Sequence, residues 1–585
     1  MSTRAAAVAV AGAAVALYWR ALSSGFVGDD FMILHRLRGL SGPFDALRFF
    51  RGEFFEYYRP LGFVAHAADW AIGGADPRQF HLTNVLLHAV CCILVLQIGR
   101  ELSPRSAAGP LAALLFALHA SNHEAVVWIS ARFDLLATLF SLAALWWMLR
   151  TGAGWSVVPV LLFGCAILSK ESSVALPLAA AGFAVFHLKA PPAAVLRRTA
   201  PWIAALAIYS VLRHVAGGVS AIGGATRIPK LVVFIGLFGG IALLAGDRWE
   251  QLKMWLLGRR RSVLAAMLAV IALAAATAAA GGRAGDAVAE KLAVAGFAIF
   301  HLGSPILDSS GMPFYLDPGT RMYWLGGALA LAAAAVLLAL VWRRVVDDDR
   351  MWFLATLLIA SLLPISALTE GARYLYFPSA ALSLIVGLLV AESGGRARAS
   401  LIGATVLILA LSTWQIAVKL RDWEWAGRMT AEGARLVDAS LAPSCGTGRV
   451  VFLTEPVAIR SVYTHFLYET FEPVRGCMPE TFQILVRVLR IDTVVNARWD
   501  GPARIVISAP AYRGNFSLSS DLRHFQPPLH GPDPVTLQTP LGELHASRDG
   551  DAEQLTLTLA PGVDAANIGW FYYSDGTIRR LAPPR

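Results

Sequence analysis

The sequence predicts an α-helical polytopic membrane protein of about 13 spans, followed by a small soluble domain of α/β or β-rich type. Hydrophobic residues make up 56% of the 585 residues and charged residues 15%, against about 25% charged in a typical soluble domain. Apolar runs of spanning length recur to residue 418, and the residues beyond alternate as β-strands do. We therefore place a membrane domain at 1–418 and a soluble domain at 419–585, which excludes a disordered chain and a purely soluble enzyme.

The apolar runs predict thirteen spans. The first lacks a small-residue cleavage site, so we interpret it as a span and not as a signal peptide. The run at 290–303 is too short to span and suits a surface or re-entrant helix. The predicted spans are 5–22, 81–99, 107–122, 134–149, 155–169, 172–188, 199–215, 230–246, 262–280, 323–342, 351–367, 374–391 and 401–418.

The charge distribution predicts the orientation of these spans. Residues 421–585 hold 16 basic and 18 acidic residues, net −2, which leaves 34 basic and 22 acidic residues in 1–420, net +12. An excess confined to the apolar part indicates a membrane and no nucleic-acid partner. With the N-terminus in the cytosol, every cytosolic turn is basic, as the positive-inside rule requires. These turns include Arg100, Arg105, Arg150, Lys189, Arg197, Arg198, Arg248, Arg259, Arg260, Arg261, Arg343, Arg344, Arg350, Arg396 and Arg398.

The first outside loop, about 23–80, breaks that rule with six arginines. They are Arg36, Arg38, Arg48, Arg51, Arg59 and Arg78. We interpret them as cations for an anionic substrate, with a wrong topology as the alternative. Within this loop, Asp29-Asp30 opens one helical pattern and 43–58 carries a second, both expected to lie along the membrane face.

An odd number of spans places 419–585 outside the cytosol. We find no 34-residue helical repeat and no catalytic motif there. Cys445 and Cys477 form a disulfide in such a compartment or remain two thiols, and the sequence leaves both open. Cys91, Cys92 and Cys165 lie in apolar runs and are expected to be small core residues.

Ionisable residues collect at the outside ends of spans on this topology. They are Asp29, Asp30, Arg59, His81, His119, His123, Glu124, Arg132, Asp134, Lys170, Glu171, Glu370 and Arg373. Charged groups beside apolar runs are costly, so acids paired with cations there indicate a functional site. Ordinary solvated loop charges are the alternative.

Several of these residues have two interpretations. Asp29 and Asp30 cap a helix, or one of them is a general base for an acceptor hydroxyl. Arg59 grips a phosphate bidentately, or it is an interfacial side chain reaching for water. Lys170 and Arg373 contact an anionic leaving group, or Lys170 and Glu171 form a neutral pair at a span end.

The histidines favour a polar seam or a metal site. His81, Asn84 and His88 share one helical face, which suits interhelical hydrogen bonds as well as a site. His119 and His123 with Glu124 resemble a metal face, but no third ligand has recognisable spacing. Arg132 and Asp134 orient the loops or form a simple ion pair. We therefore expect no cofactor, with a divalent metal as a weaker alternative.

The motifs resemble the membrane glycosyltransferases of the GT-C class. The matching runs are Asp29-Asp30, 58–61 (Tyr-Arg-Pro-Leu), 81–88, 114–119, 124–137, 169–171 and 373–379. Within that class the chain is similar to the transmembrane and tetratricopeptide-repeat O-mannosyltransferases and their bacterial relatives. Ala120 stands where the family has proline and Ala131 where it has glycine, and the repeats are missing. The absent repeats bear on the acceptor, which the appended domain often meets.

The resemblance implies transfer of a sugar from a polyprenyl- or dolichyl-phosphate donor on the non-cytosolic face, with inversion and without a metal. It assigns the catalytic carboxylate to Asp29 or Asp30. We expect Arg59, Lys170 and Arg373 to hold the donor phosphate, supported by His81, His119, His123, Glu124, Arg132, Asp134 and Glu171. The acceptor is a protein, glycan or lipid, and membrane lipids surround the spans.

Two other functions remain open from the sequence. A transporter or flippase of lipid-linked sugars needs polar residues at mid-bilayer and internal repeats, and neither is clear. A degenerate membrane scaffold carrying a working C-terminal domain is the third interpretation. Richness in Ala, Gly and Arg favours a GC-rich bacterium, and hence an inner-membrane protein with a periplasmic C-terminal domain.

Overall fold

The structure is a computed structural model. It describes residues 2–52, 57–104, 106–154, 156–216, 247–259, 262, 335–364, 371–441, 449–456, 458–459, 462–463, 481–488, 494–510, 516–517, 535–539, 541–549, 552–574 and 577–584. Several predicted features lie outside these residues. They are the span 230–246, the span 262–280 apart from position 262, the run at 290–303, Glu370, Cys445 and Cys477.

Helices make up the described residues from the N-terminus to residue 441. They are α1 (Thr3–Tyr18), α2 (Asp30–Arg38), α3 (Pro60–Gly73), α4 (Pro77–Leu102), α5 (Ala108–Ala117), α6 (His123–Val127), α7 (Arg132–Thr151), α8 (Val158–Ser169), α9 (Leu176–Gly182), α10 (Pro192–Val215), α11 (Asp247–Gly258), α12 (Asp349–Leu362), α13 (Tyr376–Glu392) and α14 (Gly395–Leu441). A further helical segment covers 335–347. Short 3₁₀ helices cover Trp19–Ser23, Pro43–Arg51, Ala120–Asn122, Ile129–Ala131, Glu171–Ala175 and Ala372–Leu375, and Phe183–His187 is a π-helix.

Six helical segments among the described residues are long and apolar enough to cross a membrane. They are Thr3–Ser23, Pro77–Leu102, Ile129–Thr151, Pro192–Val215, Ala372–Glu392 and Gly395–Glu432. The predicted class, a helical polytopic membrane protein with a β-containing C-terminal part, is confirmed. The count of thirteen stays a prediction.

Three predicted spans are built from shorter pieces. The expected 107–122 is α5 followed by a 3₁₀ turn, 155–169 is the twelve-residue α8, and 172–188 combines 3₁₀, α and π turns. Helix α3, inside the predicted first loop, was not expected. Pro60 at its first position and Gly74 with φ +59° after its end set its limits, as these residues commonly do.

The chain divides into two compact units. The first comprises 1–22, 40–308 and 319–420, and the second comprises 23–39, 309–318 and 421–585. In the first unit, α4 packs against α1, α5 and α7, α5 packs against α13, and α12 packs against α9 and α13. Gly99 of α4 faces Gly109 of α5, and Gly387 of α13 faces Ala108 and Ala112 of α5, which suits helices in lipid.

The second unit contains α2, the end of α14 from residue 421, and two five-stranded sheets. The strands are β1 (Arg449–Pro456), β2 (Ala458–Ile459), β3 (Val462–Tyr463), β4 (Thr481–Val488), β5 (Asn496–Trp499), β6 (Arg504–Pro510), β7 (Phe516–Ser517), β8 (Val535–Thr539), β9 (Gly542–Asp549), β10 (Ala552–Leu559), β11 (Ile568–Ser574) and β12 (Thr577–Leu581). One sheet has the order β12-β11-β1-β4-β7, with β1 parallel to β11 and β4, and the other has the antiparallel order β5-β6-β10-β9-β8.

The two sheets share a hydrophobic core. Leu453, Ile507, Leu557 and Trp570 are among its fully buried members. Val450 to Leu453 on β1 are buried on both faces of their sheet, as is usual for a central strand with parallel partners. The strands predicted at 449–453, 504–507 and 554–559 are therefore confirmed.

Candidate active site

Arg59 meets Glu171 across two hairpins. Arg59 precedes α3, and Glu171 opens the 3₁₀ turn after α8. The Arg59 Nε donates to Glu171 Oε2 at 2.8 Å, and Nη2 pairs with Oε1. Both side chains are 13% exposed, and the guanidinium also lies over the ring of Tyr57 at 4.3 Å. The bidentate face of Arg59 is therefore filled by a carboxylate.

Each side chain of this pair stabilises the charged form of the other. Burial alone raises the pKa of the Glu171 carboxyl, but the Arg59 guanidinium, with a contribution from Lys170, lowers it to about 2. Burial lowers the pKa of Arg59, and the charge and hydrogen bonds of Glu171 raise it above its ordinary value. Both groups are ionised at neutral pH.

Lys170 is paired with Asp134. The backbone turns extended at Lys170, directly after α8, and Asp134 lies in the first turn of α7. The Nζ donates to both Asp134 oxygens, at 2.7 and 2.6 Å. The side chains are only 3% and 6% exposed. The Lys170–Glu171 pair, one of the two interpretations left open, is replaced by two pairs with partners from other segments.

Arg373 is paired with Glu124 and lies between two rings. Its backbone N–H donates to Glu124 Oε2 at 3.0 Å, and its Nη1 pairs with Oε1. The guanidinium carbon lies 4.7 Å from the Trp128 ring centre and 4.5 Å from that of Tyr374. Trp128 thus supports this cation.

Tyr374 joins two of the cations and was missed as a site residue. Lys170 Nζ lies 4.6 Å from its ring centre, and its hydroxyl accepts from Arg373 Nη2 at 3.0 Å. The charge of the Asp134 carboxylate also raises the pKa of Arg59. A tyrosine directly after a candidate cation was the available signal, since aromatic faces attract cations. We call Arg59, Lys170, Arg373, their three carboxylates and Tyr374 the cation cluster.

Arg132 is buried in a separate network and joins three helices. Its Nη1 bonds Asp69 Oδ2 at 2.6 Å, its Nε donates to Asn84 Oδ1 at 2.8 Å, and its Nη2 donates to the Phe80 carbonyl at 2.8 Å. It is 0% exposed. Arg132 therefore pairs with Asp69 of α3, and not with Asp134, and it supports the fold beneath the cluster.

The histidines bond to protein groups. His81, Asn84 and His88 lie buried on one face of α4, as predicted, and His88 Nδ1 bonds the Tyr376 hydroxyl at 2.8 Å. His119 Nδ1 accepts from the Ser121 hydroxyl at 2.8 Å, and His123 Nδ1 bonds the Ala120 carbonyl at 2.8 Å.

The metal face was the weaker alternative, and the structure does not place His119 and His123 as their spacing suggested. His119 is extended and precedes the helix that begins at His123, so the two are not on one helical face. Within the described residues, no group of three or more His, Cys, Asp or Glu side chains is arranged to hold a metal ion.

Asp29 and Asp30 lie in the second unit. Asp29 takes the position before α2, without a capping bond from its side chain. The Asp30 carboxylate accepts from the Val27 backbone N–H at 3.0 Å, and Asp30 is 1% exposed. The expected helix after this pair is confirmed. Their approach to the cation cluster stays a prediction.

The chain is similar to curated protein O-mannosyl-transferases. The human protein O-mannosyl-transferase TMTC3 is 29% identical over 145 residues, which is 23% of this chain and 16% of that protein. The mouse protein O-mannosyl-transferase TMTC2 is 30% identical over 191 residues, 29% of this chain and 23% of that protein. The matches thus span less than a quarter of these relatives, and they confirm the resemblance that the motifs indicated.

No protein-family model matches the chain. Among solved structures, the oligosaccharyltransferase AglB from Archaeoglobus fulgidus, in complex with an inhibitory peptide and a dolichol-phosphate, aligns with a TM-score of 0.41 and 14% identity. The alignment covers 82% of this chain and 64% of that one.

Proposed function

We propose that this protein is a glycosyltransferase that moves a sugar, of the hexosyl or mannosyl type, from a polyprenyl-phosphate donor to an acceptor on the extracytoplasmic face. The observation that supports it most is the cation cluster, in which Arg59, Lys170 and Arg373 come from three separate segments of a membrane protein. The similarity to curated O-mannosyl-transferases supports the reaction class.

The cation cluster suits a phosphate leaving group. Donors held rigidly before the reaction stabilise developing negative charge without reorganising. Arg59 is held by Glu171, Lys170 by Asp134 and the Tyr374 ring, and Arg373 by Glu124 and two rings. Each cation is thus preorganised, and each is paired with a carboxylate.

The proposed reaction is a single displacement. The acceptor hydroxyl oxygen forms a bond to the anomeric carbon, while the bond from that carbon to the phosphate oxygen breaks. The electron pair leaves with the polyprenyl phosphate, and the hydroxyl proton passes to Asp30 or Asp29. Attack opposite the leaving group inverts the anomeric configuration. The acceptor hydroxyl belongs to a protein, a glycan or a lipid.

Transfer by the purified full chain tests the proposal. The protein is reconstituted into vesicles with polyprenyl-phosphate mannose and a serine- and threonine-rich peptide. Loss of a general base typically costs about 10²- to 10⁴-fold in rate, so we expect that loss in Asp29→Asn or Asp30→Asn. Asp45→Asn is the matched control, because Asp45 lies in the same loop and bonds Ser41.

Two results would contradict the proposal. Full transfer by the Asp29→Asn/Asp30→Asn double variant excludes the assigned base. Movement of the donor between leaflets with no transfer to any acceptor class favours the flippase instead. A separate result tests the interpretation in which the C-terminal domain carries the activity. Activity that survives deletion of 421–585 excludes that interpretation.

A bacterial inner membrane and a periplasmic second unit are part of this proposal. The basic cytosolic turns support that orientation.

A further inference from the structure

The Glu124 carboxylate accepts hydrogen bonds from two donors of Arg373. One oxygen accepts from the backbone N–H at 3.0 Å and the other pairs with Nη1. A backbone N–H and a guanidinium N–H that converge on one anion are also a common donor set for phosphate oxygens. Glu124 therefore lies where Arg373 would bind an oxygen of the donor phosphate.

This pair is the most open of the three in the cation cluster. The Arg373 and Glu124 side chains are 20% and 16% exposed, against 13% each for Arg59 and Glu171 and 3% and 6% for Lys170 and Asp134. Separating two charges costs less where water can solvate them. An incoming anion will therefore displace the carboxylate from Arg373 before it displaces the other two.

Arg373 keeps other supports when Glu124 leaves. Its guanidinium lies against the Trp128 and Tyr374 rings, and Nη2 donates to the Tyr374 hydroxyl at 3.0 Å. Each such cation–π contact contributes about 0.5–2 kcal/mol. Loss of the carboxylate leaves a cation that is still oriented.

We propose that the Glu124 carboxylate competes with the lipid phosphate for Arg373, an inference that rests on the proposed function. Glu124 releases Arg373 when the donor phosphate binds and takes it back when the product leaves. The product is a phosphate monoester with a charge of about −1.5 to −2 at neutral pH, whereas the donor diester carries one charge. A competitor lowers the affinity for substrate and product alike, and it therefore speeds release of the more highly charged product.

Binding of farnesyl phosphate to the full-length protein in detergent micelles tests this proposal. We expect Glu124→Gln to lower the Kd about 5- to 10-fold, a change of roughly 1 kcal/mol, and to slow dissociation. Arg373→Gln should raise the Kd. Glu101→Gln is the matched control, because it removes the same charge from an exposed position on α4, and should bind as the native protein does.

Turnover provides a second measurement. With the lipid-linked sugar as substrate, Glu124→Gln should lower KM and also lower kcat, because product release becomes slower. A merely structural role would raise KM or leave it unchanged. If Glu124→Gln does not fold, Glu124→Asp shortens the carboxylate by one methylene and should also bind farnesyl phosphate more tightly.

The outcomes separate this inference from the function beneath it. If the Glu124 variants bind farnesyl phosphate no more tightly than the native protein does, and Arg373→Gln binds it more weakly, the competitor role of Glu124 is wrong. The phosphate site itself is then still supported. No farnesyl phosphate binding by the native protein overturns the proposed function, and the competitor with it.

Discussion

At the scale of single residues, the pairing of charges decides what each cation can do. Arg132 has its guanidinium enclosed by Asp69, Asn84 and backbone carbonyls, so it is committed to the fold. Arg373 is held by a partly exposed carboxylate and two rings, which favours the anion exchange that we propose. The two arginines therefore differ in their surroundings, which their residue type alone does not distinguish.

Glu171 predicts a pH dependence of stability. Its folded pKa of about 2 lies below the ordinary value near 4.3, so the unfolded chain binds more protons between these values. The stabilisation, about 3 kcal/mol, is present above pH 4.5 and is lost as the pH falls towards 2. Thermal unfolding in detergent of the native protein and Glu171→Gln should differ most at neutral pH, and the difference should shrink on acidification.

Glu101→Gln is the control for this pH series, because Glu101 is exposed. Its unfolding curve should stay parallel to that of the native protein. A Glu171→Gln difference that is constant from pH 7 to pH 3 would contradict the assigned pairing.

At the scale of elements, close packing of α4, α5 and α13 brings backbone against backbone. A Cβ on Gly99 would lie 2.6 Å from the Gly109 Cα, and one on Gly387 would lie 2.8 Å from the Ala108 carbonyl oxygen. Small residues let membrane helices approach in this way. Helix α13 is also tied to the turn before α6, the helix that carries Glu124, since the Ser379 hydroxyl of α13 donates to Asn122 Oδ1 at 2.8 Å.

Gly387→Ala should therefore destabilise the protein. The added methyl meets backbone atoms that cannot turn aside, and overpacking of this kind costs about 1–3 kcal/mol. Gly164→Ala on α8 is the matched control, because a Cβ there meets nothing within 4 Å. Thermal unfolding in detergent measures both. Equal stability of the two variants would show that α5 and α13 are not packed this closely.

Element boundaries were predicted well only where long apolar runs define them. Helices α4, α7, α10 and α14 each cover a predicted span, and α1 and α13 do so together with the 3₁₀ turns that adjoin them. The pieces at 108–122 and 158–187 are shorter because prolines and buried polar residues interrupt them, and their tertiary contacts decide where each turn begins. Helix α3 was missed because its loop was assigned by charge.

At the scale of the whole molecule, ion pairs also join the ends of helices at the predicted cytosolic side. Glu392 at the end of α13 pairs with Arg344 and with Arg350, the latter at 2.8 Å, and accepts from Ser103 after α4. Asp349 pairs with Lys189 and with Lys253 at 2.6 Å. The basic turns that set orientation therefore also fasten helices together.

The predicted orientation can be measured by labelling single cysteines in a background without the native ones. Ser41→Cys and Gln538→Cys should react with a membrane-impermeant maleimide from the extracytoplasmic side. Arg396→Cys should react only after the membrane is opened, and all three positions are exposed. Labelling of Ser41→Cys and Arg396→Cys from the same side would contradict the topology.

The sequence by itself determined the class of molecule, the long spans, the β-rich second part and which residues are chemically expensive, because hydrophobicity and charge act locally along a chain. Only the tertiary structure decided which charge meets which. Arg59 pairs with Glu171, which is 112 residues away in the sequence, and Arg373 pairs with Glu124, which is 249 residues away. A buried cation is stable only beside an anion that folding delivers to it, and the packing of helices distant in sequence selects that anion.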